Sequence, residues 1–291
     1  MSRFYRSMLG VSVILGCSLA AVSTFAESND DLSVAASKGD LSRVNALLAD
    51  KTDVNSTFSG GATAIMTAAE NGKLEVMNAL LGAKADVNAK MFNGATALML
   101  ASQNGQLEAV KALIAAGADV NTKANNGGTA LMLASQNGHL DVVRALLAEK
   151  AEVNAKENDG NFVLLFASQA GNADVVKELI SAKADVNAKG AAQGTALMYA
   201  AQSGHTETVQ ILLANNADVN AAADGGLTPL ILASKNGHVE SVRALLAAKA
   251  AVNAMTEKGI TALKAASAEG HDDVVEVLKS AGGVENPDNI Q

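Results

Sequence analysis

Four histidines share one position in the chain's pattern and are the first candidates for metal binding or acid–base chemistry. Each follows a glycine, in the pairs Gly138-His139, Gly204-His205, Gly237-His238 and Gly270-His271. Zinc needs its ligands about 2 Å from one centre. Equivalent positions on neighbouring packed helices lie roughly 10 Å apart, about one helix diameter. The spacing therefore favours a structural turn, with each ring bonding backbone at the start of the following helix, over a metal cluster.

Two further patterns could bind metals, and both favour a structural interpretation. Methionines recur in one register, at Met66, Met99, Met132 and Met198, where a soft-metal or partner groove is conceivable. Leu165 and Ile231 occupy the same register, which favours core packing. The segment 157–161 carries carboxylates and amides but lacks the ligand spacing and distal glutamate of a calcium loop, so it predicts a simple turn.

Neither catalysis nor nucleic-acid binding is indicated by the motifs and charge. The sequence contains no P-loop, nucleophile elbow, zinc-protease motif or paired cysteines. The 291 residues include 22 basic and 30 acidic side chains, a net charge of −8, which opposes nucleic acid and anionic membranes as partners. We therefore expect no enzyme activity and no catalytic, cofactor or metal site.

These residues are positioned by a unit that recurs every 33 residues and is most regular at 126–156. Apolar runs with helical spacing, 130–134 and 140–147, flank Gly138, a residue that tolerates a left-handed turn. Thr129 precedes the first run as an N-cap. The register persists along the chain in Val-Asn pairs beginning at Val54, Val87, Val120, Val153, Val186, Val219 and Val252. Each unit is predicted to form helix, turn, helix and extended turn.

The repeated signatures identify a family resemblance. A 33-residue unit with T-A-L, G-H, V-V-x-x-L-L and A-D-V-N-A segments resembles the ankyrin repeat from about Asp30 to Val284. The family's T-P-L-H is mostly T-A-L-M here, and only Thr228-Pro229-Leu230 keeps the proline. The resemblance implies an all-α ankyrin-repeat solenoid of about eight helix-turn-helix units with hairpin-like tips, in which neighbouring units share the core.

The N-terminal segment 1–26 differs from the repeats and predicts a secretory signal peptide. Arg3 and Arg6 precede an apolar stretch, 8–22, that is short for a transmembrane helix, and small residues offer cleavage after Ala26. An uncleaved anchor is one alternative, and a lipoprotein attached through Cys17 is another. Cleavage after Ala26 removes this only cysteine, so no disulfide remains. We expect a periplasmic or secreted protein without membrane insertion after cleavage.

The remaining chain divides into a capped array. We predict an N-terminal capping repeat at 27–58, six internal repeats at 59–256, a C-terminal capping repeat at 257–285 and a tail at 286–291. Polar residues in the first and last repeats suit the ends of a stack. Lysines stand where the family has a helix-ending glycine, at Lys84, Lys150, Lys183 and Lys249, and this predicts left-handed backbone at those positions.

The ankyrin resemblance implies a protein partner on the concave face, which hairpin tips and the exposed ends of first helices form. The candidate protein-binding residues are Phe58, Met91, Phe92, Gln103, Asn125, Gln136, Asn158, Phe162, Gln169 and Gln202. The glutamines belong to a polar ladder that either bonds a partner or is a solvated feature of duplicated repeats. At the tips, large apolar side chains are expected in solvent, where they favour an interface, unless they fold back onto their own helices.

Phe162 breaks the threonine register, and two explanations stay open. It brings a large apolar side chain to a helix start, either through local repacking or as an anchor for a partner. Together these features predict a non-enzymatic, monomeric protein-binding module without cofactor, in the bacterial periplasm. A secreted effector or inhibitor that binds a host or competitor protein is the alternative.

Overall fold

A computed structural model describes residues 29–286, so the predicted signal peptide and residues 287–291 of the tail lie outside the described part. This part contains sixteen α-helices and no strand. The helices are α1 (Asn29–Lys38), α2 (Leu41–Ala49), α3 (Ala64–Glu70), α4 (Leu74–Gly82), α5 (Ala97–Gln103), α6 (Leu107–Ala115), α7 (Ala130–Gln136), α8 (Leu140–Ala148), α9 (Val163–Ala170), α10 (Ala173–Ser181), α11 (Ala196–Ser203), α12 (Thr206–Ala214), α13 (Pro229–Lys235), α14 (Val239–Ala247), α15 (Ala262–Glu269) and α16 (Asp272–Ser280). The prediction of eight helix-turn-helix units is confirmed.

Helix boundaries follow the capping residues that recur with the repeat. The hydroxyl of Thr129 accepts the backbone N–H of Met132 at the start of α7, and four other threonines cap α5, α11, α13 and α15 in the same way. Lysines follow the second helix in four of the repeats, and the left-handed backbone predicted for them is confirmed. Lys84, Lys150, Lys183 and Lys249 have φ values of 67°, 62°, 71° and 67°. Each costs about 1 kcal/mol relative to glycine.

Contacts divide the chain at Asp159 into two units, described separately as 29–158 and 159–286. In the first unit, the helices α1, α3, α5 and α7 pack in sequence, and α2, α4, α6 and α8 form a second layer. In the second unit, the same two layers contain α9, α11, α13 and α15, and α10, α12, α14 and α16. Every helix therefore buries its apolar side against its own partner and the adjacent repeat.

The core is built from small and aliphatic side chains. Met66, Met99, Met132 and Met198 are at most 1% exposed, which supports the interpretation of this register as core filling. Tyr199 is also fully buried in α11.

The asparagine of the recurring Val-Asn pair connects one repeat to the next through hydrogen bonds of its side chain. The Oδ1 of Asn88 accepts the backbone N–H of Asp119 at 2.9 Å, and its Nδ2 donates to the carbonyl oxygen of Gly117 at 3.1 Å. Asn187 and Asn253 make the corresponding pairs of bonds in the second unit. One asparagine side chain thus satisfies loop backbone groups of the next repeat.

Candidate protein-binding surface

The hairpin-like tips are fixed to one another by backbone hydrogen bonds. Within the first unit, the N–H groups of Phe92, Asn125 and Asn158 donate to the carbonyl oxygens of Gly60, Asn93 and Asn126, each at 2.9 Å. In the second unit, Asp224 and Glu257 make the same bond to the preceding tip at 3.1 and 3.0 Å. The tips therefore present their side chains from a backbone held on both sides.

Phe92 is the most exposed large apolar side chain in residues 31–286. Its relative exposure is 80%, against 44% for Val34 and 37% for Met255. The ring lies over the preceding tip, where a Cβ added to Gly61 would be 2.7 Å from Cδ1 of Phe92. The absence of a side chain at Gly61 lets the ring approach the backbone on one face while most of its surface stays in solvent.

The expectation of solvent exposure is wrong for Met91. This side chain is only 6% exposed, and Phe58 is half-buried. The backbone N–H of Met91 closes the tip by donating to the carbonyl oxygen of Ala95. Met91 stands where this bond closes the tip and is buried, whereas its neighbour Phe92 lies in the turn itself and points into solvent.

Asn125 and Asn158 occupy the Phe92 register one and two repeats later. Their side-chain Nδ2 groups donate to the carbonyl oxygens of Phe92 and Asn125, 33 residues earlier, at 2.9 and 2.8 Å. Both residues are exposed. Their amide donors therefore contribute to tip stacking, while their outer surface remains open to a partner.

The predicted ladder glutamines lie near the ends of first helices within each unit. Gln103 and Gln136 in the first unit, and Gln169 and Gln202 in the second, are all half-buried. The adjacent Asn104 and Asn137 are exposed, and each donates its side-chain Nδ2 to a carbonyl oxygen of its own helix. The ladder therefore offers side chains that are only partly exposed to a partner.

The histidines bond a different backbone group from the predicted one. Nε2 of His139, His205 and His238 lies 2.9 Å from the carbonyl oxygens of Gln103, Gln169 and Gln202. Nε2 of His271 lies 3.0 Å from that of Lys235. Each acceptor is at the end of the first helix in the preceding repeat. The expected bond at the start of the following helix is therefore wrong, because the ring spans the interface between repeats.

Phe162 is buried at the start of α9, with 3% exposure. Its Cε1 lies towards the next tip, 3.5 Å from where a Cβ on Gly190 would stand. Asn161 links the same two tips by accepting the N–H of Ala191 at 3.3 Å. These contacts favour repacking over an anchor, since a buried ring cannot contact a partner without local opening.

Charge on the described surface is distributed in small pairs. Lys177 lies 3.1 Å from Glu207 in the next repeat and 3.2 Å from Asp174, and its pKa is raised by hydrogen bonding to Glu207 and then to Asp174. Burial raises the pKa of Glu70, which occupies the glutamine-ladder register at the end of α3.

Exposed lysines also recur once per repeat, at Lys90, Lys123 and Lys156 in the first unit. This row was not predicted from the sequence, although its regular spacing could have revealed it. An acidic residue stands four positions before each lysine, at Asp86, Asp119 and Glu152. The loops are therefore charge-balanced and do not form a basic surface suited to nucleic acid.

A groove between α13 and α15 was also missed. It has a volume of about 280 Å³ and is lined by Leu227, Ile231, Lys235, Thr256, Ile260, Lys264, Ala265, Ala268 and Glu269. The sequence signal for it was Lys264, which stands in the last repeat at the position that carries methionine in most other repeats.

Within residues 29–286, no group of three or more histidine, cysteine or acidic side chains could hold a metal ion. No helix there is both long and apolar enough to cross a membrane.

Comparisons with known proteins agree with this architecture. A family model described as ankyrin repeats (3 copies) matches residues 32–124, 90–157, 131–223 and 197–289. The crystal structure of the human ASB11 ankyrin repeat domain is 26% identical, with a TM-score of 0.69, and the match covers 75% of this chain and 96% of that domain. A comparison with curated proteins finds no match. The chain belongs to the ankyrin-repeat family, whose members typically bind other proteins and are generally not enzymes.

Proposed function

We propose that this chain is a non-enzymatic protein-binding module of the bacterial periplasm, and that its tips and first-helix ends receive the partner. The observation that carries the proposal is Phe92, an aromatic ring 80% exposed on a tip. Backbone bonds to the preceding and following tips fix this position, through Phe92 to Gly60 and through Asn125 to Asn93. A preorganised aromatic side chain loses little conformational entropy on binding and is a frequent hot spot.

The side chains that could bind metals or take part in catalysis have structural partners instead, which further supports a binding role. The histidine rings bond carbonyl oxygens of the adjacent repeat, and the recurring methionines lie in the core. The exposed residues of the tips differ from one repeat to the next, as Phe92 and Asn125 do in one register. Recognition by shape and side-chain chemistry is the function that such a surface supports.

The binding proposal is tested by affinity capture from the native cell envelope. The informative variant is Phe92→Asn, because asparagine stands in this register in the next two repeats. We expect the wild-type chain to retain a specific protein, and Phe92→Asn to lose it without loss of helicity. The control is Val34→Gln, which removes another exposed apolar side chain, on α1. Equal capture by Phe92→Asn and wild type would contradict the tip assignment.

Export is tested separately by fractionation and mass spectrometry of the chain made in its native cell. We expect a periplasmic protein whose mature sequence starts at Glu27. A lipid on Cys17 would contradict a soluble periplasmic form, and recovery in the medium or in a target cell would favour the secreted effector.

A further inference from the structure

The groove between α13 and α15 exists because the last repeat departs from the others at the positions that line it. Gln169, Gln202 and Lys235 occupy one register of the second unit, and Ala268 follows them. A second register contains Phe166, Tyr199 and Leu232, and is followed by Ala265. Both alanines line the groove. Each alanine is smaller than the side chains of its register in the preceding repeats of this unit, which leaves space between α13 and α15.

The bottom and sides of the groove are largely apolar. Leu227 and Ile231 from the α13 side are buried, Ile260 is half-buried, and Ala268 is exposed. Pockets that enclose a drug-sized molecule usually have volumes of about 300–1,000 Å³. A groove of 280 Å³ is therefore of a size for one or two aliphatic side chains of an extended segment.

Charged side chains stand at the rim of this apolar space. Lys264 is exposed on α15 in a register that carries Ile231 and Met198 in the two preceding repeats. Nζ of Lys235 lies 4.0 Å from Oε1 of Glu269, which places a pair of opposite charges across one part of the rim. The rim residues that line the groove thus carry two positive charges and one negative charge.

We propose that this groove binds an extended segment of a partner protein that presents a leucine or isoleucine side chain beside a carboxylate. The aliphatic side chain fills the space above Ile231 and Ala265. The carboxylate of the segment pairs with Lys264. A second acidic residue of the segment next to Lys235 is disfavoured, because Glu269 already pairs with that lysine. A basic segment is disfavoured because Lys264 would repel it. This inference rests on the proposed protein-binding function and specifies the partner chemistry of a second contact region.

The test uses a random peptide library displayed on phage and selected on the full-length protein. Enriched sequences are then synthesised with a fluorescent label, and their affinities are measured by anisotropy. We expect enrichment of leucine or isoleucine next to aspartate or glutamate. Lys264→Glu should weaken binding about tenfold or more, because it replaces attraction of the peptide carboxylate with repulsion. Ala268→Gln should have an effect of similar size, because the longer side chain occupies the groove. Ala268→Gln restores the residue of other repeats and so should preserve the fold.

The matched control is Lys279→Glu, which makes the same charge change on α16, away from the residues that line the groove. It should retain wild-type affinity. Enrichment of basic or wholly polar peptides, no enrichment, or equal binding by Ala268→Gln would overturn the groove proposal. Those outcomes leave the Phe92-dependent capture experiment unaffected, so failure of this inference is distinguishable from failure of the proposed function.

Discussion

Nε2 of His139 lies 2.9 Å from the carbonyl oxygen of Gln103, 36 residues earlier in the chain. The ring also covers Gly105, since a Cβ added there would lie 2.6 Å from Nδ1 of the histidine. Glycine is therefore required at this turn for two reasons: its φ of +68° and the ring of the next repeat. This relationship makes the glycine–histidine pattern a contact between repeats.

Gly105→Ala should destabilise the fold by about 2–4 kcal/mol, because a left-handed alanine and an overlap with His139 both add cost. Urea denaturation measures this change. Gly117→Ala is the matched control, since Gly117 has a φ of +92° but nothing within 4 Å of an added Cβ. It should cost only about 1 kcal/mol. In the Gly105→Ala background, His139→Ala should recover part of the loss, and equal costs for the two glycine changes would contradict the contact.

Glu70→Gln should stabilise the protein at neutral pH by a few tenths of a kcal/mol. Burial raises the pKa of Glu70, so the folded state binds a proton more readily than the unfolded state does. The Glu70 contribution is therefore most favourable below its unfolded pKa and falls as pH rises through the folded value. The advantage of Glu70→Gln over wild type in unfolding free energy should therefore grow as the pH rises from about 4 to about 7, as urea denaturation at each pH measures. Glu75→Gln, at an exposed position of α4, controls for the loss of one carboxylate. A difference between Glu70→Gln and wild type that does not change with pH would refute this assignment.

The fold could be predicted from particular residues because each repeat carries its own local signals. Thr129 marks a helix start, and Lys84 and Lys150 stand where a left-handed residue ends the second helix. Partners of side chains in adjacent repeats are harder to predict, since a strict 33-residue period does not show whether a ring such as His139 bonds its own repeat or the preceding one. Exposure at the tips depends on which way each tip residue points. Sequence position alone therefore could not show that Met91 is buried and that its neighbour Phe92 is exposed.

The double change Phe162→Thr with Val163→Ala tests why α9 lacks a threonine cap. Because Phe162 is buried, we expect a net destabilisation of about 2 kcal/mol or more, after the restored cap offsets part of the lost burial. Thermal and chemical denaturation measure this change. Partner capture by the folded fraction should be normal. A variant as stable as wild type that no longer binds its partner would support an anchor instead.

Deletion of Gly259–Gln291 should cause aggregation or partial melting. It removes α15 and α16 and exposes the apolar sides of α13 and α14, which α15 and α16 respectively cover. Light scattering and circular dichroism during heating measure the effect. The control deletion, Pro287–Gln291, removes no residue of the sixteen helices and should be nearly silent. Equal thermal shifts in the two truncations would contradict the capping role of the last repeat.

The most direct measurement of the central claim is photo-crosslinking from the tip in living cells. The photoreactive residue p-benzoylphenylalanine replaces Phe92 in one protein and Glu240 in another; Glu240 is exposed in the first turn of α14, away from the tips. We predict a discrete crosslinked protein adduct from position 92 and none from position 240. An adduct from position 240 alone, equal adducts from both positions, or no adduct from position 92 would contradict the proposal that the tips receive a protein partner.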